Sequence, residues 1–270
     1  LWDWHPCPSK PRKLNAQQLI TFNWLTFNLL SLLSLPSYNL FPISVMSDIN
    51  QLIAQVYAEA QRESFPVDEP VYQAAGLDPK MPILYGGNLE SQLCFFARDL
   101  GKDEVLVQQP LYGAAGRLVR QGVYRALFQK EPSSNTDLLG VLDRVLLTNT
   151  VPYKPPGNKA YSEAVKKRFR PFLEQLLVFH WQGSRIITLG NEAFKWFSPY
   201  APKGAAAKFF EGSDRYTSSL SLTLTAQDEQ GKRHERSVTI LPLPHPSPLN
   251  QKYYAQFPQL LQQRITSIFS

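Results

Sequence analysis

Residues 241–250 read LPLPHPSPLN, an apolar run that ends on one histidine set between prolines. Proline fixes φ and offers no N–H, so Pro244-His245-Pro246-Ser247-Pro248 cannot extend a sheet and is stiff. A histidine held this way suits directed hydrogen bonding. Three other polar residues stand in the same relation to two short apolar runs. Arg98 and Asp99 follow Leu93-Cys-Phe-Phe-Ala97, and Asn149 closes Val145-Leu-Leu-Thr-Asn149 ahead of a loop with three prolines and a glycine. A carboxylate can hold or activate water, a carboxamide can read an amide edge, and an imidazole can stabilise a developing anion. Each also fits a plainer role: Asp99 as a turn cap, Asn149 as a turn residue, His245 as a loop histidine. Their convergence decides between the two, because rigid loops around polar groups are what preorganised chemistry requires.

Convergence follows from the elements. Leu93–Ala97, Val145–Asn149, Ile186–Gly190 and Ser237–Leu243 read as buried strands. Helices are expected over Ile49–Ala60, Ala114–Gln129, Ser162 to about Trp181 with a bend near Pro171, Asn191–Phe197 and Tyr253–Phe269. Residues 65–90 and Gly101–Gly113 read as loop, and Ser219–Thr225 alternates like a hairpin strand. The alternation predicts an α/β fold, three-layer α/β/α, with a central, mostly parallel four-stranded sheet and a small hairpin insertion. Ligands of such sheets bind beyond the carboxyl ends of the strands, where Asp99, Asn149 and His245 fall.

The 270 residues allow one α/β domain, and 43% hydrophobic content supplies its core. A net charge of +6 mildly favours an anionic partner. Two cysteines, Cys7 and Cys94, cannot build a disulfide framework or a four-thiolate site, and Cys94 reads as a buried thiol. Residues 1–45 hold a Leu-, Phe- and Trp-rich run after Lys10, Arg12 and Lys13. Polar residues interrupt it and no A-x-A site follows, so 1–45 reads as an upstream extension or leader outside the fold, with 46–270 a single domain from Met46. There is no P-loop and no G-x-G-x-x-G, which counts against a general nucleotide-binding α/β protein.

The ordered motifs resemble the uracil-DNA glycosylase superfamily. HPSPLN (245–250) is similar to its second motif, a histidine followed by Pro-Ser-Pro-Leu. LLTNTVPYKPPGNK (146–159) resembles the strand and loop T-N-V-V-K-C-R-P-P-G-N-R of the thermophile-type branch. ARDLGKDEVLVQQPLYGAAGRL (97–118) resembles that branch's first motif, with Gly101, Glu104, Pro110, Gly113, Gly116 and Leu118 in register. The resemblance covers roughly residues 93–260, and implies an enzyme that flips a uracil or related deaminated base out of DNA and hydrolyses its N-glycosidic bond.

The residue roles implied are these. Asp99 stabilises the cationic sugar and holds water, and His245, as a neutral imidazole, stabilises the uracil anion. Arg98, Gly101, Leu111, Tyr112 and Asn149 contact the base, with Asn149 reading its amide edge. Lys154, Asn158, Lys159 and Ser247 meet the DNA backbone, and Leu249 wedges into the vacated stack. The departures are specific. Arg98 replaces a Gln or Glu of the first motif. Gly101 stands where a relative with Gly-Gln-Asp-Pro-Tyr has the Tyr that excludes thymine. Leu111 replaces a base-stacking Phe, with Tyr112 adjacent. Tyr153 stands where the thermophile-type branch has a cluster cysteine, so no iron–sulfur cluster, metal or other cofactor is expected. DNA, single- or double-stranded, is the expected partner, with a monomeric, cytoplasmic protein and no membrane. The alternative is a catalytically silent relative that binds damaged DNA, motivated by Arg98 and Leu111.

Overall fold

The computed structural model describes residues 49–247 and 250–269. The start at Met46, the 1–45 extension and the Leu249 wedge therefore lie outside the described residues. Six strands make one sheet: β1 (Tyr85–Gly87), β2 (Leu93–Ala97), β3 (Val145–Asn149), β4 (Arg185–Leu189), β5 (Leu220–Gln227) and β6 (Arg233–Leu243), in the order β1-β3-β2-β4-β6-β5. The four central strands run parallel, and β1 and β5 add antiparallel edges. The fold class stands as expected, but the strand count does not. The hairpin is no insertion, because β5 and β6 pair along Leu220↔Ile240 to Gln227↔Arg233 within the sheet. The other addition is β1, whose Gly86-Gly87 reads as a loop in sequence yet pairs with β3 through Tyr85↔Thr148.

β2 and β3 are buried at every position because helices cover both faces of the sheet. Side-chain alternation divides β2 between two cores. Cys94 and Phe96 pack with Leu52 and Val56 of α1 (Ile49–Arg62), while Leu93 and Phe95 pack on the opposite face. Next come α2 (Glu69–Ala75), α3 (Lys102–Val107), α4 (Ala114–Phe128) and α5 (Asn135–Gly140). The prolines that made 65–90 look like loop hide α2: Pro70 sits in its first turn, where no N–H is needed, and Gly76 ends it with φ 69°. The chain continues with α6 (Glu163–Gln175), α7 (Asn191–Lys195), α8 (Ala205–Glu211), α9 (Gln251–Tyr254) and α10 (Phe257–Phe269). α6, α7 and α8 add to the α1 side, and α4 and α10 cover the other. Pro171 lies inside α6, and a π-helical turn at Leu176–His180 follows it. Among the described residues no helix is long and apolar enough to cross a membrane.

From β2 the chain moves to β3 on one side, then crosses to β4 on the other. That reversal opens a crevice at the carboxyl ends of the parallel strands. β6 can carry Pro242 near its end because β5 stops at Leu220↔Ile240, leaving that side of the strand without a neighbour.

Candidate active site

Asp99 follows β2 directly, and its side chain is 2% exposed. Burial pushes its pKa up; the Arg98 guanidinium, then Lys166 and a Thr150 hydrogen bond, oppose that, while Glu192 reinforces it. Arg98 Nε lies 3.0 Å from Asp99 Oδ2, an ion-pair contact without hydrogen-bond geometry, since Oδ2 has no hydrogen-bond partner. Thr150 Oγ1 donates to Asp99 Oδ1 at 3.3 Å, and Thr150 N–H reaches the carbonyls of Ala97 (3.0 Å) and Arg98 (2.9 Å). The end of β2 is thus tied to the residue just past β3. Arg98 Nη2 also donates to the Asn158 carbonyl at 3.2 Å, linking the carboxylate to the proline loop.

Asn149 pairs with Ala97 across the sheet and is 2% exposed. Its Oδ1 is buried without a hydrogen-bond partner. Leaving a buried acceptor unpaired costs about 1–3 kcal/mol, so this atom is suited to a donor on an incoming ligand.

His245 is fixed by its surroundings. Its carbonyl accepts from Ser247 N–H (2.9 Å) and Asn250 Nδ2 (3.2 Å). Gly190, just past β4, lies under it with φ 88°; a Cβ there would stand 3.0 Å from His245 Cβ. Burial, then the Arg98 charge, lowers the His245 pKa, so the imidazole is neutral at pH 7.

The opposite wall comes from α3 and the loop after it. The Glu104 carboxylate accepts from Gly101 N–H (2.9 Å) and Gly113 N–H (3.0 Å), closing the loop around itself. It is spent on the backbone and is no substitute for Asp99. Leu111 is 6% exposed at φ 54°, a conformation that is costly for leucine. Arg120 holds it there by donating to the Leu111 and Tyr112 carbonyls, the second at 2.9 Å. Gly116 lets α4 approach, since a Cβ would overlap the Leu111 carbonyl at 1.5 Å.

These parts enclose a cavity of about 290 Å³, lined among others by Arg98, Asp99, Gly101, Leu111, Asn149, Asn158 and His245. Two expectations are corrected. Tyr112 is not in the wall; its ring packs 5.2 Å from the Arg120 guanidinium, so Leu111 alone of the pair faces the cavity. Lys154 does not reach for a backbone phosphate. It is 2% exposed, its ammonium donating to Asp68 Oδ2 at 2.6 Å and the Pro155 carbonyl at 3.0 Å. Lys159 is exposed and Ser247 half-buried at the same edge. Sequence reasoning gave no role to Thr150, to Asn250 of the HPSPLN motif or to Gly190 at the end of the expected strand 186–190. The signal was present, since each adjoins a chosen motif residue or strand end.

The family model for the uracil DNA glycosylase superfamily matches residues 85–267, more than half of the chain. The chain belongs to the uracil DNA glycosylase superfamily. Its domain is therefore of glycosylase type, tied broadly to DNA and its repair. No curated protein matches it. The iron–sulfur cluster of the thermophile-type branch does not fit the described residues. Tyr153 is fully buried, its hydroxyl donating to the Lys80 carbonyl at 2.9 Å, and Cys94 is buried inside the sheet with its pKa pushed up by burial.

Proposed function

We propose that this domain excises uracil, or a related deaminated base, from DNA as a monofunctional glycosylase. The observation that carries the reading is the small cavity in which a buried carboxylate, a neutral histidine and an unpaired carboxamide oxygen converge. Its volume of about 290 Å³ lies close to the lower limit of the roughly 300–1,000 Å³ typical of ligand sites and has room for one flipped base.

The target nucleotide leaves the stack, because C1′ cannot be reached inside a duplex. Asn149 Oδ1 accepts from uracil N3–H, a match that cytosine, with an acceptor at N3, cannot make. As the N-glycosidic bond breaks, its electron pair moves onto the base. His245 donates a hydrogen bond to the uracil oxygen that gains the charge, and Asp99 faces the cationic sugar. Water held by Asp99 adds its oxygen to C1′ and gives a proton to the Asp99 carboxylate, and the departing base anion takes up one proton in turn, leaving a free base, an abasic sugar and Asp99 ionised again. Leu111 and Gly101 supply apolar wall and clearance. Asn158, Lys159 and Ser247 belong to the DNA-facing edge, and the wedge role of Leu249 rests on the motif alone. Residues from Met46 onward form the working domain.

Single-turnover release of free uracil from single- and double-stranded DNA tests this. Asp99→Asn and His245→Ala should each lower the rate by on the order of 10²-fold or more, the scale of losing one electrostatic stabiliser. Binding of DNA with an uncleavable uracil analogue should change far less, because phosphate contacts dominate affinity. The Arg98–Asp99 ion pair favours one second reading, a silent damaged-DNA binder whose carboxylate is occupied. That reading predicts tight lesion binding with no base released from any lesion-bearing oligonucleotide.

A further inference from the structure

A second, larger cleft of about 530 Å³ opens beside the base cavity. Arg98 and His245 line both, so the two spaces share a wall. None of the motifs accounts for its far side, which comes from α8, the segment after it, and α9. Phe210, Arg215, Tyr216 and Tyr253 form it, with Lys252 at the rim.

These residues are organised. Tyr216 and Tyr253 meet edge to face at 5.1 Å, and the Arg215 guanidinium lies 4.8 Å from the Tyr216 ring centroid. Arg215 donates to the Gly212 carbonyl (2.9 Å) and the Tyr253 hydroxyl (3.1 Å), while its buried Nε has no partner. Lys252 adds a second cation, 5.1 Å from the Tyr253 ring centroid. The one carboxylate in the lining, Glu192, is engaged by Lys166 at 2.7 Å and Lys195 at 3.4 Å. An aromatic surface flanked by cations is how proteins hold an unpaired nucleotide: the rings stack on the base and the cations meet its phosphates.

We propose that this cleft is a second nucleotide subsite, which takes the deoxynucleotide adjoining the flipped one in the same strand. The inference rests on the glycosylase reading for the occupant of the first cavity. Its ligand class is a single-stranded deoxynucleotide, so it is occupied when the neighbour of the lesion is unpaired. Shared contact with Arg98 and His245 couples its occupancy to the site of chemistry.

Calorimetric titration of the full chain with short single-stranded oligonucleotides tests it. Each carries a central 2′-fluorinated, uncleavable deoxyuridine, and the base on one side or the other is removed. Removing the base on one particular side should weaken binding about tenfold, the scale of one lost stack. Tyr216→Ala and Tyr253→Ala should bind the intact oligonucleotide as weakly as the unaltered protein binds the one lacking that base, with no further loss when the two are combined. Tyr253→Phe, which keeps the ring but not the bond to Arg215, should retain binding. Losses that are equal on both sides, or that add, would overturn the subsite. Uracil release from cleavable versions is scored separately. Side dependence without release keeps the subsite and removes the glycosylase reading; release without side dependence does the reverse.

Discussion

Replacing Gly190 by alanine should damage catalysis through His245 without removing any catalytic group. Two costs follow from its geometry. The backbone there has φ 88° and ψ 174°, a region that is nearly exclusive to glycine and costs of order 1–3 kcal/mol for other residues. The new methyl would stand 3.0 Å from His245 Cβ, where carbon atoms prefer about 3.5–4.0 Å. The imidazole must then shift by a few tenths of an ångström. A misplacement of about 1 Å costs about 10²-fold in rate, and this smaller shift a fraction of that. Uracil release in single turnover should therefore fall by roughly three- to tenfold, and denaturant unfolding should show a loss of about 1–3 kcal/mol. A double variant separates the terms. Adding His245→Ala leaves a Cβ and keeps the clash, whereas adding His245→Gly relieves it and should return part of the stability. Gly190→Ala with full activity would show that His245 orientation does not limit the chemistry, and the reasoning would fail.

Other outcomes follow from the same geometry. The proposed mechanism needs ionised Asp99 and neutral His245, so its rate should fall on the acid side as pH drops through their pKa values. The Arg98 charge lowers both; Arg98→Ala should let both rise and move the acid limb of the pH–rate profile to higher pH, and an unmoved limb would refute this role. Lys154→Ala should lower the unfolding midpoint, because it strands Asp68 beside a buried position, yet leave the salt dependence of DNA binding unchanged. Lys159→Ala should do the opposite, reducing the slope of log K against log salt by about one with stability intact. Asn149→Asp should abolish base release at neutral pH by adding a carboxylate to a cavity already lined by Asp99, Asp103 and Glu104; retained release would remove Asn149 from base recognition.

The central strands were legible because burial on both faces leaves short apolar runs, as in Leu93–Ala97 and 145–147. The edges were not. β1 is two-thirds glycine and carries no strand pattern, and its existence depends on pairing with Thr148, Leu147 and Leu146 far along the chain. α2 was masked by prolines whose effect depends on where in the helix they fall. Lys154 shows the same limit at the site. Its charge is visible in sequence, but its partner Asp68 lies 86 residues earlier, and only the fold reveals that the charge is used internally. Motif position pointed to Leu111 in place of the stacking Phe, but it could not exclude the adjacent Tyr112, which the structure leaves out of the cavity lining beside a left-handed turn at Leu111.

Arg98 was legible only as a departure, and its electrostatics give it a positive reading. Burial drives both Asp99 and His245 toward their neutral forms, raising the first pKa and lowering the second. The proposed chemistry needs those outcomes to differ, with the carboxylate charged and the imidazole not. An anion at position 98 would work against both states. A cation there lowers both pKa values, countering burial at Asp99 and reinforcing it at His245. With Nε 3.0 Å from the carboxylate, the guanidinium sustains the ion in a buried site, and its 38% exposure keeps part of its own charge in water. A residue that departs from the motif thus favours the protonation states that the proposed chemistry requires.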